Sequence, residues 1–319
     1  YAAGTSLTLT RTTVSGNSAS NAAGIRIGAG DFTMTNSTVS GNVGGAALGN
    51  TGGGILAQGG NTLITDSTVS GNQAWGGAGY FRDGSGTGKT VTIVGSTFSG
   101  NASGSGGGGG VSGLQPLFAT NSTFTGNTGG GISANASSAP FALTLKYVTI
   151  DGNTAMGGTY ANLAAVGNLE SFGSVVTNPI GGSNCLVIAG TTTSDGYNYS
   201  DSAVCVFTGT GDVQNAASPQ LGALANNGGP TLTMLPADTS PLVDKIPNAS
   251  CDAGAGITTD QRADPRPAVA GGLCDIGAVE IPTVVPPTPP VPPTPPASPT
   301  PPGGTAVPAA LVLPPRFTG

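Results

Sequence analysis

The chain has 319 residues, among them 56 glycines and 25 prolines, and only 8% of its residues are charged. Histidine is absent, which excludes Ser-His-Asp and Cys-His nucleophile pairs, HExxH zinc sites and imidazole bases. The formal charge is −6 and no basic patch exists to release counterions from phosphates, so nucleic acid is not an expected partner. No run of eighteen apolar residues is present, so no membrane span is expected.

A repeat runs through the first half. Ser-Gly-Asn or a close variant recurs, ending at Asn17, Asn42, Asn72, Asn101, Asn127 and Asn153 with steps of 25, 30, 29, 26 and 26 residues. Four residues before each Asn stands a threonine: Thr13, Thr38, Thr68, Thr97, Thr123 and Thr149. Three before stands an apolar residue, and pairs such as Phe32/Met34, Val91/Ile93 and Leu143/Leu145 flank Thr33, Thr92 and Thr144 further upstream. This alternation has period two, so each unit holds short strands with one buried face. After each Asn a glycine-rich stretch leads to another apolar piece, as in Gly53-Gly54-Ile55-Leu56 and Gly130-Gly131-Ile132.

Units of this length cannot bury a core alone and must stack on their neighbours. A propeller blade is longer, and a leucine-rich repeat needs a helical half. The expected fold is therefore all-β: a right-handed parallel β-helix, or solenoid, over residues 1–180, with coils stacked at about 4.8 Å. The Asn column is expected to form a hydrogen-bonded ladder and the Thr column to face outward. The chain enters mid-pattern at Tyr1, so further coils, or stacking through an open end, are expected before it; otherwise a monomer is expected.

All four cysteines, Cys185, Cys205, Cys251 and Cys274, follow the repeats, and none forms a Cys-x-x-Cys pair. Disulfides are favoured over zinc, with nearest-neighbour pairing one of three possibilities, and they imply an oxidising, extracytoplasmic setting. Residues 181–280 carry ten acids and three bases, whereas residues 1–175 are balanced at five and five.

The second segment carries an ordered series of motifs. Asp195-Gly196-Tyr197-Asn198 precedes Asn227-Gly228-Gly229-Pro230-Thr231 and Ser240-Pro241-Leu242-Val243-Asp244. Thr259-Asp260-Gln261-Arg262, Pro265-Arg266-Pro267 and Cys274-Asp275-Ile276-Gly277-Ala278-Val279-Glu280 follow. The series resembles the C-terminal "choice-of-anchor" module of bacterial surface β-helix proteins, with Ala263 where that family has glycine and Leu242-Val243 in place of Ala-Ile. The resemblance covers about residues 185–281 and implies display on a bacterial cell surface; it implies no ligand and no reaction. A disulfide-containing cap is expected over 181–281. Asp260, Arg262, Arg266, Asp275 and Glu280 read as an ion-pair network closing that cap on the last coil, or, more sharply, as a catalytic acid pair.

Residues 282–302 are mostly Pro and Thr and read as an extended linker. Residues 303–319 read as a disordered tail, a remnant of a surface anchor, whose Leu313–Gly319 faintly resembles a sortase signal.

No catalytic residue, metal ligand or cofactor is assigned. Gly76–Phe81 starts like a calcium-binding nonapeptide but has Phe81 where Asp is required. Trp75, Tyr80, Phe81, Arg82 and Asp83 fall in a longer insertion, and as an exposed loop they are the candidate glycan-contacting surface, since aromatic faces stack on sugar rings. The functional expectation is a non-catalytic secreted or surface β-helix that serves adhesion, recognition of an extracellular glycan or surface, or display. The alternatives are a lyase or hydrolase of an acidic polysaccharide, and binding to ice or another ordered surface, for which the Thr8/Thr10 and Thr33/Thr35 columns fail at Leu63, Val94, Phe118 and Lys146.

Overall fold

The computed structural model describes residues 2, 4, 6–45, 51–83, 88–104, 107–136, 139–253 and 255–282. Tyr1–Thr283 forms one compact unit. The expected linker beyond Pro282 and the tail at 303–319 lie outside the described residues.

Each of the first seven coils carries three parallel strands. The first strands are Leu7–Thr10, Phe32–Thr35, Thr62–Thr65 and Val91–Val94, each paired in register with the next. The second strands are Thr13–Ser15, Thr38–Ser40, Thr68–Ser70 and Thr97–Ser99. In the fifth and sixth coils first and second strands run on as Leu117–Thr125 and Leu143–Asp151. Third strands, from Ile25–Ile27 to Ser183–Ile188, build a separate seven-stranded sheet.

Stacking does not stop at residue 180. Ser183–Ile188 pairs with Tyr160–Val166, and Thr192–Gly196 and Tyr199–Ser200 add a final coil. The boundary expected at 180/181 thus falls inside the stack. The repeat columns change identity there, which hid these coils: the Thr column ends at Thr149 and continues as Val175 and Tyr199.

The core is the lumen. Phe32, Met34, Val39, Ile64, Val69, Ile93, Phe98, Phe124 and Leu145 are buried in one continuous cluster, and Phe98 stacks on Phe124 at 5.3 Å between ring centroids. Cys205 and Phe207 close its upper end, tied down by the Cys185–Cys205 disulfide. Cys251 pairs with Cys274.

Two polar ladders line the corners. At the second corner, Asn72 donates to Asn101 Oδ1 through its backbone N (3.1 Å) and Nδ2 (2.9 Å). The same pair of bonds links Asn17 to Asn42, Asn42 to Asn72, Asn101 to Asn127 and Asn127 to Asn153. Asn162 and Asn184 continue the line. The glycine opening each of the first five third strands packs against this ladder. At Gly54 a Cβ would lie 2.6 Å from the Gly79 carbonyl oxygen and 2.9 Å from Asn72 Cγ, so no side chain fits. At the first corner, Thr12, Ser37, Ser67 and Ser96 each donate a backbone N–H to the next serine Oγ, through Ser122. The residue just before that ladder is left-handed in every coil, as at Asn36 (φ 48°) and Asp66 (φ 50°).

Candidate functional site

The structure corrects the loop expected at Trp75–Asp83. Tyr80–Arg82 is a strand, in register with Ile55–Ala57 below and Val111–Gly113 above. Tyr80 and Arg82 point into the lumen, Trp75 and Phe81 are half-buried, and only Asp83 is exposed. The insertion lies elsewhere in the coil, and Gly79, held against Asn101, sets the strand's register. The five residues therefore do not share one surface.

Arg82 is 1% exposed, a cation inside the stack. Its Nη1 donates to the Gly60 carbonyl at 2.6 Å, while Nε and Nη2 have no hydrogen-bond partner among the described residues. It fits because Ala57 and Gly113 are its neighbours in the column; a Cβ on Gly113 would approach Arg82 Cβ to 2.9 Å. Burial pushes the Tyr80 phenol pKa up, and its hydroxyl is 2.8 Å from Thr62 Oγ1.

Asp260, Arg266, Asp275 and Glu280 of the charge cluster are buried and Arg262 is largely so, but the cluster does not sit on the last coil. Arg262 pairs with Asp260 (3.0 Å) and Asp264 (2.9 Å), and Arg266 with Glu280 (3.3 Å). Arg266 also lies 3.9 Å over the Tyr147 ring and donates to the Asp275 and Gly277 carbonyls. This network holds a segment that folds back along the side of the stack. Thr97 donates to the Leu232 carbonyl, Thr123 to Gln261 Oε1, and Ala278 N to Thr149 Oγ1. Asn121 Nδ2 donates to the Thr259 carbonyl. Above these bonds a second core joins Tyr147, Phe172, Val175 and Tyr199 to Leu242, Ile246 and Ile276. Ala263, where the resembled family has glycine, has φ 70°, a conformation that glycine adopts without penalty.

The Thr column thus has two fates. Thr97, Thr123 and Thr149 are buried under the C-terminal segment, whereas Thr13 is exposed and Thr38 and Thr68 are partly open to solvent. Ser15, Ser40 and Ser70 stand beside them in register. Across the corner, Thr8, Thr33, Thr10, Thr35 and Thr65 form the outward rows of the first strands, interrupted by Leu63. No charge stands in these rows on the first three coils.

The profile of the right-handed β-helix region matches residues 1–201, the full extent of the stack. The chain belongs to the right-handed β-helix family. No curated protein and no solved structure matches it. Among the described residues, no helix is long and apolar enough to cross a membrane.

On this β-helix, sequence reasoning missed two sets of residues. The serine ladder was visible five positions before each Asn, though Thr12 and Val148 break the column. The other set, around Lys89, Phe118 and Phe141, lines a groove at the third corner. Coil length varies there, so alignment on the Asn column does not bring those residues together.

Proposed function

We propose that this β-helix is a non-catalytic recognition module, displayed outside the cytoplasm on a bacterial surface, which binds an extracellular glycan along the open hydroxyl rows of its first three coils. One observation carries the reading. The same Thr column already serves as a hydrogen-bonding surface on coils four to six, where Thr97, Thr123 and Thr149 hold the chain's own C-terminal segment. On coils one to three the column is open and uncharged, and it repeats at about 4.8 Å. Such rows suit a polymer that presents many hydroxyls and no strong charge. Two disulfides agree with an oxidising compartment, and the motifs between Asn227 and Glu280 agree with a choice-of-anchor module and surface attachment.

The test is a glycan array probed with the full chain and with Thr38→Asp/Thr68→Asp. The open rows predict binding that falls at least tenfold in the double variant at unchanged melting temperature. Binding that the variant retains would remove this face from the account. A second reading, an ordered surface such as ice, is favoured by the in-register Thr10, Thr35 and Thr65 row; thermal hysteresis without glycan binding would select it.

A further inference from the structure

The third corner of the stack carries a groove with a volume of about 800 Å³. Its described lining comes from three successive coils: Gly88–Thr90, then Leu114–Pro116 with Phe118, then Ala136 with Ala139–Phe141. Three coils span about 10 Å along the axis. The lining is graded. Lys89 and Thr90 stand at the lower end, and Ala139, Pro140 and Phe141 at the upper end. Between them Leu114 is 46% and Phe118 38% exposed, large apolar side chains turned to solvent. Gln115, the other polar side chain of the lining, is 5% exposed and already engaged.

Among the described residues Lys89 makes no ion pair, and no carboxylate lines the groove. An apolar trough with one ammonium at one end matches a molecule with a head and a tail. A sugar chain needs polar partners along its whole length, and among the described residues this lining supplies free ones only at the Lys89 end.

We propose that the groove binds a free fatty acid, with the carboxylate at Lys89 and the alkyl chain along Leu114, Phe118 and Phe141. The site goes beyond the glycan reading and uses other residues, so each stands or falls separately.

The test is calorimetric titration of the full chain with sodium decanoate, decan-1-ol and decylammonium, each below its micellar concentration. One decanoate per chain is expected, bound about fivefold more tightly than decanol, as a partly exposed ion pair allows, with decylammonium weakest. Phe118→Ser should weaken decanoate and decanol at least tenfold through lost apolar burial. Lys89→Met should leave decanol unchanged and abolish the preference for decanoate. No heat with any ligand, decylammonium binding as tightly as decanoate, or decanoate binding that survives both substitutions would overturn the proposal. So would co-sedimentation with phosphatidylglycerol vesicles in the absence of decanoate binding, which would assign the groove to a membrane surface.

Discussion

Thr123 donates its hydroxyl to Gln261 Oε1 across 2.6 Å, joining residues 138 positions apart. Gln261 Nε2 donates in turn to Thr97 Oγ1 at 2.8 Å and to Thr231 Oγ1 at 2.9 Å. One buried carboxamide therefore clamps two coils and the loop at Thr231. Gln261→Ala leaves the buried Thr123 hydroxyl without its acceptor and takes a donor from Thr97 and Thr231, and should cost about 2 kcal/mol or more. Hydrogen exchange should quicken at residues 227–233 and 259–262 and stay slow along the Asn ladder; equal protection in both proteins would show that the clamp is not the latch.

Interior and terminal rungs of the Asn ladder should differ. Asn101 Oδ1 accepts two bonds from Asn72, and Asn101 Nδ2 donates to Asn127 and to the Val69 carbonyl, all buried. Asn101→Ala should cost about 3 kcal/mol, because several desolvated groups lose their partners. Asn17 is exposed and bonded on one side only, so Asn17→Ala should cost less than about 1 kcal/mol. Urea midpoints at unchanged slope measure both, and equal losses would contradict the ladder account.

Arg82 carries a charge into the lumen beside the Tyr80 phenol and, among the described residues, meets no carboxylate there. Removing an uncompensated buried charge is neutral or favourable when an apolar side chain of similar volume replaces it. Arg82→Met should thus hold or raise stability, by about 1 kcal/mol, a few degrees in melting temperature. A loss of about 2 kcal/mol would instead show that the guanidinium has a counter-charge.

Acid should stabilise the fold. Burial raises the Glu280 carboxyl to about 7, against the pull of Arg266 and with the Asp275 charge beside it adding to the rise. Burial also raises Asp66, Asp151 and Asp275. The folded state then binds protons more tightly than the unfolded chain. For Glu280 that contribution is fully present below the unfolded value of 4.5 and is lost as pH rises through about 7. Melting temperature should fall between pH 4.5 and pH 8, and Glu280→Gln should flatten the slope; a rise over that range would reverse the sign.

What could be read from the chain followed from repetition. The strands and the Asn column recur at fixed local offsets, so neighbours in the stack were legible as neighbours in alignment. The fold-back of the C-terminal segment has no local period and was misplaced onto the end of the stack. Its trace was present all the same, in the apolar Phe172, Val175 and Tyr199 that take over the outward threonine columns and in Tyr147 at the corner position held by Asn121 one coil earlier. Arg82 escaped because an arginine at a lumen position breaks the hydrophobic pattern that assigns strand faces.

The central functional claim is recognition without cleavage. The direct measurement is the chain length of any polysaccharide that the intact protein retains, followed by release of reducing ends and of unsaturated products. The account predicts retention of polymer whose length does not change over prolonged incubation. Depolymerisation, abolished by substitution of an acid or base on the stack, would contradict it and make this β-helix an enzyme.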